Sequence, residues 1–329
     1  MGIIISGIIG IGTSLLFAAI LYWMDRYEKE PLFLLGGVFL WGVLVAAGTA
    51  FVVNTTLGLG IFMVTNSDLA SEIATGSLIA PFVEEIMKGL AVLIVFLFFR
   101  NEFDSVLDGI IYAGVVALGF AATENTYYIY SYGYLENGWK GLFFMTLIRI
   151  FMVGWQHPFY TAFTGIGLAV SRLNSRWLVR IGAPILGLGL AMFTHAFHNT
   201  MGSFLSGYEG LAVGAFFDWS GWLFMLGILL WSIWREKQNL QKYLMDEVKA
   251  GTISDLQFQT AISPFRQTLA RMNAVFSGRY LKTRRFYQVC GEYAHKRQQY
   301  ASLGDEKGNL SILAKLRSEL ALLAPEAQG

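Results

Sequence analysis

Two adjacent glutamates, Glu84 and Glu85, lie within the run 77–99, which is otherwise apolar enough to span a membrane. A carboxylate near the centre of a membrane helix costs roughly 2.5–3.5 kcal/mol on insertion scales, so such residues are rare and usually functional. Lys88 follows Glu84 by one helical turn, so the two side chains share a helix face and can pair. Together with the glutamate pair, we take as candidate catalytic residues the polar groups that interrupt later apolar runs: Glu124, His157, His195 and Asn199.

Carboxylates and imidazoles gathered in an apolar pocket are suited to activating a water molecule. In one interpretation, Glu85, His157 and His195 bind Zn²⁺ and leave a fourth position open for water, while a second glutamate is the general base. In the other, no cofactor takes part: a glutamate removes a proton from water, and a histidine or Asn199 stabilises the oxyanion. The sequence lacks the HExxH helix of many zinc proteases, and it leaves both mechanisms open.

Each of these residues also has a structural interpretation. A buried Glu–Lys pair can join two helices, and a buried histidine often completes a hydrogen bond without taking part in chemistry. Arg149 is expected at the outer boundary of the membrane, where its long side chain can reach the interface. Neighbouring positions on a helix differ by about 100°, so we expect Glu84 to face the pocket near Lys88 and Glu85 to turn toward the fourth helix.

The elements that carry these residues are predicted to be membrane-spanning helices. The chain is 55% hydrophobic and 14% charged, against about 25% charged residues in soluble proteins. We predict an all-α, polytopic membrane protein with a transmembrane domain at 1–235 and a cytoplasmic helical tail at 236–329. The fifth span lies in a long apolar region in which Pro158 favours a break. Runs of about 20 apolar residues predict seven spans, at 3–23, 32–55, 72–99, 107–130, 145–171, 180–204 and 211–234.

The distribution of Lys and Arg predicts the orientation of these helices. Positive residues cluster in the loops after helices one, three and five and at the start of the tail, and an excess of this kind marks the cytoplasmic side. We therefore predict that the N-terminus lies outside and the C-terminus in the cytoplasm. The positive residues are Arg26, Lys29, Arg100, Arg172, Arg176, Arg180, Arg235, Lys237 and Lys242.

The candidate residues fall at one depth in the predicted helices. At a rise of about 1.5 Å per residue, Glu84 and Glu124 lie about 24 Å from the cytoplasmic ends of their helices. His157 and His195 lie about 22 Å from theirs. This depth is in the outer half of a hydrocarbon core about 30 Å thick. Because four helices bring a polar group to one level, a shared functional site is favoured over four separate structural roles.

The tail is polar and basic. Residues 235–329 hold fifteen Lys and Arg against nine Asp and Glu, and their pattern indicates a small helical bundle near anionic lipid. A nucleic acid is not expected as a partner, because the charges are spread and no binding motif occurs. Cys290 is the one cysteine of the chain, which excludes a disulfide framework and a cysteine-based zinc site.

Two classes of function compete with an enzyme. Intramembrane Glu and His are also typical of ion pathways, so the alternative is a proton- or cation-coupled transporter. Many transporters contain internal repeats, but the halves 1–117 and 118–235 show no convincing repeat. An inert receptor or scaffold would be expected to lack part of the site, and every candidate residue is present.

Several runs of the chain resemble, in order, the motifs of the PrsW intramembrane protease family, and the resemblance extends over about residues 1–235. That family is similar to the CAAX prenyl protease and Abi proteins, whose HxxxN motif matches His195 and Asn199. One departure is Lys88, which follows Glu85 by three residues where the wider pattern has an arginine four residues on. The matching runs are DRYEKEP (25–31), PFVEEIMKGL (81–90), FDSVLDGIIYAGVVALGFAATENTYY (103–128), QHPFYTAFTGIGLA (156–169) and THAFHNT (194–200).

The resemblance implies a glutamic-type or metal-dependent intramembrane endopeptidase of the bacterial inner membrane. It implies substrates that are membrane-tethered, single-span proteins of the anti-sigma-factor class, reached within the lipid bilayer. The outer-half depth of the candidate residues fits cleavage near the extracytoplasmic face. By resemblance, the catalytic or metal-ligand candidates are Glu84, Glu85, Glu124, His157 and His195.

Overall fold

The structure, a computed structural model, describes residues 1–204, 207–305 and 308–327. These residues are almost entirely helical and none of them forms a strand, which confirms the predicted all-α fold. The helices before the tail are α1 (Gly2–Met24), α2 (Leu32–Leu40), α3 (Ala47–Thr65), α4 (Asp68–Ala74), α5 (Ala80–Phe98), α6 (Val106–Tyr128), α7 (Leu135–Thr146), α8 (Gln156–Arg172) and α9 (Trp177–Phe204). They are followed by α10 (Gly207–Lys249), α11 (Asp255–Ala261), α12 (Pro264–Phe276), α13 (Tyr280–Leu303) and α14 (Asn309–Leu323). Four segments of the described residues have the wider π-helical geometry. Trp41–Ala46 joins α2 to α3, Thr75–Ile79 joins α4 to α5, and Ile129–Tyr134 joins α6 to α7. The fourth, Leu147–Met152, extends α7.

By length and composition, five helical stretches within the described residues can cross a membrane, and the chain is a multi-pass membrane protein. One stretch contains both the fourth and the fifth predicted spans. The third predicted span corresponds to α4 and α5, which are not among the five; α5 carries three charged residues, Glu84, Glu85 and Lys88. The five stretches are Gly2–Met24, Leu32–Thr65, Val106–Arg172, Trp177–Met201 and Ala212–Lys249.

The stretch Val106–Arg172 turns back on itself within α7. Asn137 and Gly138 depart from helical geometry, and Gly138 has a φ of +59°, a left-handed conformation that glycine adopts at little cost. Across this turn, a Cβ on Gly141 would collide with the carbonyl oxygen of Gly133. The glycines therefore allow a tight hairpin, which returns the chain toward the candidate site.

The chain leaves the helical conformation again at residues 153–155 and resumes as α8. Pro158 lies in the first turn of α8, where the N–H that proline lacks would have no partner within the helix. The break that Pro158 predicts is therefore confirmed, and it lies just before the proline, next to His157.

Two glycines set the distance between α6 and α8. A Cβ on Gly165 of α8 would collide with the carbonyl oxygen of Gly109 on α6, and a Cβ on Gly109 would collide with that of Gly165. Small residues of this kind let two membrane helices approach closely enough for backbone packing. The contact holds together the two helices that carry Glu124 and His157.

The chain divides into two compact units. The first consists of Met1–Trp23, Pro31–Arg172 and Leu178–Ile228, and it contains every candidate site residue. The second consists of Met24–Glu30, Leu173–Trp177 and Leu229–Gly329. The chain passes from one unit to the other inside α10, so a continuous helix leads into the tail, and the predicted boundary at 235 lies on this helix.

The second unit is a helical bundle whose aromatic core includes Tyr27 from the loop after α1. The backbone N–H of Lys29 donates to Gln288 Oε1 at 3.0 Å, and Gln288 Nε2 donates to the Lys29 carbonyl at 3.3 Å. Gly291 leaves room for the carbonyl oxygen of Tyr27, which a Cβ there would meet at 2.7 Å. The loop after α1 and the tail therefore pack together in the second unit.

Candidate active site

Four helices of the first unit bring the predicted polar residues into one buried cluster. Helix α5 contributes three side chains, and α6, α8 and α9 contribute one each. The residues from α5, α8 and α9 are at most 6% exposed, so their charges must be balanced within the cluster. The members are Glu84, Glu85, Lys88, Glu124, His157 and His195.

Lys88 lies at the centre of the cluster. Its Nζ donates to Glu85 Oε1 at 2.8 Å and to Glu84 Oε2 at 3.4 Å, and it lies 4.0 Å from the centroid of the Phe120 ring. Both glutamates thus share one counter-charge from the same helix face, because the spacings i,i+3 and i,i+4 bring these side chains together. The motif EExxK therefore places an internal cation between its two carboxylates.

The contacts of His157 define which of its ring nitrogens carries the proton. Lys88 Nζ lies 3.2 Å from His157 Nδ1, and an ammonium group can only donate, so Nδ1 is the acceptor. The ring proton is then on Nε2, from which it is donated to Glu124 Oε2 at 2.8 Å. Glu124 consequently orients the imidazole in the way that carboxylates orient the histidines of metal and catalytic sites.

Glu85 has the same relation to the second histidine. His195 Nδ1 lies 3.0 Å from Glu85 Oε1, and Thr161 donates to Glu85 Oε2 at 2.8 Å. The expectation that Glu85 turns toward the fourth predicted helix is wrong: these partners belong to α8 and α9, because the break in the fifth predicted span brings α8 beside α5. His195 Nε2 then faces Glu84, with 3.8 Å between it and Glu84 Oε2.

A further set of side chains lies behind His195, and it was not predicted from the sequence. The Tyr160 ring stacks on the His195 ring with centroids 4.9 Å apart. The Tyr160 hydroxyl donates to Asp218 Oδ1 at 2.6 Å, and His198 Nδ1 lies 3.0 Å from the same oxygen. A signal was available for Asp218, since it is an acidic residue inside the apolar run of the seventh predicted span.

Arg149 does not lie where the sequence predicted. It does not extend to the membrane interface: its guanidinium pairs with Glu124 Oε2, and its Nε donates to Asn125 Oδ1 at 2.9 Å. The guanidinium carbon also lies 4.5 Å from the centroid of the Tyr128 ring. Arg149 therefore balances the charge of Glu124 and holds the carboxylate beside His157.

Asn199, the remaining candidate, binds a backbone group. Its Nδ2 donates to the carbonyl oxygen of Gly76 at 2.8 Å, in the π-helical turn that precedes α5. This bond ties α9 to the segment that leads into the helix of Glu84 and Glu85. A role of Asn199 in stabilising an oxyanion stays a prediction.

Glu84, His157 and His195 each offer one ligand atom, and these atoms all lie within 4.8 Å of one another. Two imidazoles and a carboxylate are a donor set that catalytic Zn²⁺ prefers, so the residues fit this metal. This set contains Glu84, whereas the sequence predicted Glu85 as the ligand. The choice of the glutamate that binds a metal stays a prediction. Lys88 Nζ lies 3.2 Å from His157 Nδ1, so a cation bound at that nitrogen would require the lysine side chain to turn aside.

Comparison with protein families gives one match that includes the whole cluster. The model of the family described as "PrsW family intramembrane metalloprotease" matches residues 30–231. No solved structure matches the chain significantly.

Three curated relatives are each named protease PrsW. The protein of Geobacillus kaustophilus (strain HTA426) is 35% identical over 124 residues, which are 38% of this chain and 52% of the relative. That of Clostridioides difficile (strain 630) is 35% identical over 114 residues, 34% of this chain and 46% of the relative. That of Bacillus subtilis (strain 168) is 31% identical over 128 residues, 38% of this chain and 53% of the relative. The chain thus spans about half the length of the curated relatives it matches.

Proposed function

Because this chain belongs to the PrsW family of intramembrane metalloproteases, we propose that it is an intramembrane endopeptidase that hydrolyses a peptide bond of membrane-embedded proteins. The observation that carries the proposal is the buried cluster, in which carboxylates and imidazoles from four helices lie within hydrogen-bond distance of one another. A structural ion pair between two helices would not need two histidines, each oriented by its own carboxylate. The family match leaves the transporter hypothesis without support.

In the metal-free form of this proposal, Glu84 is the general base. Glu85 is occupied by Lys88, Thr161 and His195, whereas Glu84 has a longer contact with Lys88 and is the more exposed of the pair. Glu84 removes a proton from the attacking water, and the water oxygen forms a bond to the carbonyl carbon of the substrate. The same proton then passes to the amine that leaves as the C–N bond breaks.

The remaining residues hold these groups in place. Glu85 keeps the proton of His195 on Nδ1, so Nε2 faces the space beside Glu84. Lys88 is the fixed positive charge nearest this space, and it opposes the negative charge that develops on the substrate oxygen. Glu124 holds His157 in its orientation by accepting the hydrogen bond from His157 Nε2.

Zn²⁺ is the cofactor that the donor set fits, with Glu84, His157 and His195 as its ligands. When bound, it would supply a Lewis acid that polarises the substrate carbonyl and lowers the pKa of a bound water. In the metal-free alternative, Lys88 is the only positive charge among the described cluster members.

We further propose single-span substrates of the anti-sigma-factor class and a bacterial inner membrane with the N-terminus outside. The packing of the DRYEKEP loop against the tail supports this orientation, because both segments contain Lys and Arg and must lie on one side of the membrane. With this orientation, the predicted depth of the candidate residues in the membrane corresponds to cleavage near the extracytoplasmic face.

The test is cleavage of reconstituted single-span substrates by purified full-length protein. We expect Glu85→Gln and His195→Ala to reduce the rate at least about a hundredfold, the range typical of lost catalytic groups. Glu136→Gln, at an exposed glutamate outside the cluster, is the matched control and should retain activity. Full cleavage by both site variants would contradict the proposed site. Loss of activity with a chelator and its recovery with Zn²⁺ would favour the metal mechanism, whereas unchanged activity would favour the glutamate mechanism.

A further inference from the structure

Helix α12 of the second unit carries its large apolar side chains on the side that faces away from its own bundle. Phe265, Leu269, Met272 and Phe276 recur at intervals of three or four residues, so they share one face of the helix. These four residues are 42–90% exposed. A helix on the surface of a soluble bundle normally turns its apolar face inward, so we expect this face to contact another surface.

The opposite face of α12 packs on the bundle through short or polar side chains. Gln267, Ala270 and Ala274 are at most 3% exposed. Gln267 Nε2 also donates to the carbonyl oxygen of Ala261 at 2.8 Å. The helix is therefore held in the bundle without any contribution from its larger apolar residues, which stay available for a partner.

The segment that contains this face carries positive and no negative charge. Residues 256–291 include six Lys and Arg and no Asp or Glu. Arg266, Arg279 and Arg284 are exposed, and a further exposed cation, Lys282, pairs with Glu326. An apolar helix face flanked by basic residues is typical of helices that lie in the plane of a membrane surface. The complementary partner is a surface that is both apolar and anionic.

The course of the chain keeps α12 close to a membrane. Lys29 lies three residues before the membrane-spanning stretch that begins at Leu32. The pKa of Lys29 is lowered to about 8, mainly by burial and in part by the positive charges of Arg271 and Arg284. Such an influence requires proximity, and all three residues belong to the second unit. Since Arg271 is part of α12, this helix lies near the point at which the chain enters the membrane.

We propose that α12 binds the anionic membrane surface next to the second unit, with Phe265, Leu269, Met272 and Phe276 inserted among the lipids and the neighbouring arginines on anionic headgroups. Removal of the four apolar side chains from water favours insertion, and arginine side chains are long enough to reach the headgroups. A protein partner or a second copy of the chain would also cover an apolar face, but the membrane is already adjacent to this helix. The inference is independent of the proposed protease activity.

The experiment places an environment-sensitive fluorophore on the proposed face of the full-length protein. Cys290 is buried, so a thiol-reactive label reaches an introduced cysteine in preference. Met272→Cys carries the label on the face, and Ser318→Cys, at an exposed position of α14, is the matched control. The purified proteins are reconstituted in nanodiscs of phosphatidylcholine that contain a lipid with a quencher on its acyl chain. In a second set, roughly one third of the lipid is phosphatidylglycerol, which supplies the negative surface charge.

We expect the label on Met272→Cys to be quenched in the anionic nanodiscs and at least about fivefold less in phosphatidylcholine alone, because the attraction of the basic residues is then lost. The label on Ser318→Cys should be quenched little in both. Equal quenching at the two positions would overturn the inference, as would equal or absent quenching of Met272→Cys in the two lipid compositions. An unquenched Met272→Cys that forms a disulfide between two copies would assign the face to a dimer instead.

A charge variant tests the contribution of the arginines. In the Met272→Cys protein, we combine Arg266→Gln with Arg279→Gln, both at exposed positions. Each lost positive charge should weaken docking about fivefold, so half-maximal quenching should require a larger share of phosphatidylglycerol. Lys315→Gln, at an exposed lysine of α14, is the matched control and should leave the lipid requirement unchanged. The same lipid requirement in the double variant would contradict the role of the arginines, and its melting temperature shows whether the fold is retained.

Discussion

Lys88 is the residue on which the charge balance of the cluster depends, because it contacts both glutamates and His157. Removing one partner of a buried ion pair typically costs about 3–5 kcal/mol, since the other charge stays buried without compensation. We therefore expect Lys88→Met to lower the thermal stability of the detergent-solubilised protein by several degrees and to abolish cleavage. Lys140→Met, at an exposed lysine, is the control. A melting temperature equal to wild type for Lys88→Met would contradict the central role of this ammonium.

Tyr160 positions His195 by two separable contacts, the ring stack and the hydroxyl bond to Asp218. Tyr160→Phe removes only the bond, and hydrogen bonds to charged groups contribute about 1.5–3 kcal/mol. We expect a fall in kcat of about tenfold to a hundredfold with KM nearly unchanged, and a larger fall for Tyr160→Leu, which also removes the stack. The measurement is steady-state cleavage of one peptide by both variants. Equal activities of the two variants would show that the stack does not matter.

At the residue scale, the sequence predicted the members of the cluster better than their partners. Glu84, Glu85 and Glu124 were identifiable because a carboxylate in an apolar run is energetically costly whatever its neighbours are. Arg149 was misplaced because its depth was measured along an uninterrupted helix, and the break at residues 153–155 invalidates that measurement. The hydrogen-bond partners depend on helix rotation and packing, which spacing along the chain does not specify.

At the element scale, the contact between α6 and α8 holds Glu124 against His157, and it depends on glycine at two positions. A side chain on Gly165 would collide with the backbone of Gly109, and the rigid backbone cannot move aside cheaply. We expect Gly165→Leu to lower both the melting temperature and the cleavage rate. Gly36→Ala is the matched control, since a Cβ at Gly36 meets nothing within 4 Å and alanine favours a helix by about 1 kcal/mol. Wild-type melting and cleavage for Gly165→Leu would contradict this packing.

The helices were predictable from the lengths of the apolar runs. The positions at which the helices break or continue were only partly predictable. Pro158 predicted a break, since proline cannot continue a helix hydrogen-bond ladder. The hairpin at Gly138 and the continuous helix α10 were not predicted. A single glycine in an apolar run is compatible with either a turn or close packing, and a change from apolar to polar residues does not by itself end a helix.

At the scale of the whole molecule, the membership of the second unit follows from contacts between segments far apart in the chain. The loop after α1 and the helix α13 meet through Lys29 and Gln288, which are more than 250 residues apart. The Lys and Arg residues of each segment predict that it is cytoplasmic. This local signal does not show that the two segments pack together. The second unit therefore includes the segment Met24–Glu30, which the predicted boundary at 235 assigns to the transmembrane domain.

Cys290 is a built-in reporter of this packing. It is fully buried in the core that includes Tyr27, and burial raises the pKa of its thiol, so little of the reactive thiolate forms near neutral pH. We expect Gly291→Leu, whose side chain would collide with the Tyr27 carbonyl, to speed maleimide labelling of Cys290 by at least about tenfold. Gly227→Ala, with nothing within 4 Å of its Cβ, should label at the wild-type rate. Slow labelling in Gly291→Leu with an unchanged melting temperature would mean that the loop is not held against α13, and the segment Met24–Glu30 would then not belong to the second unit.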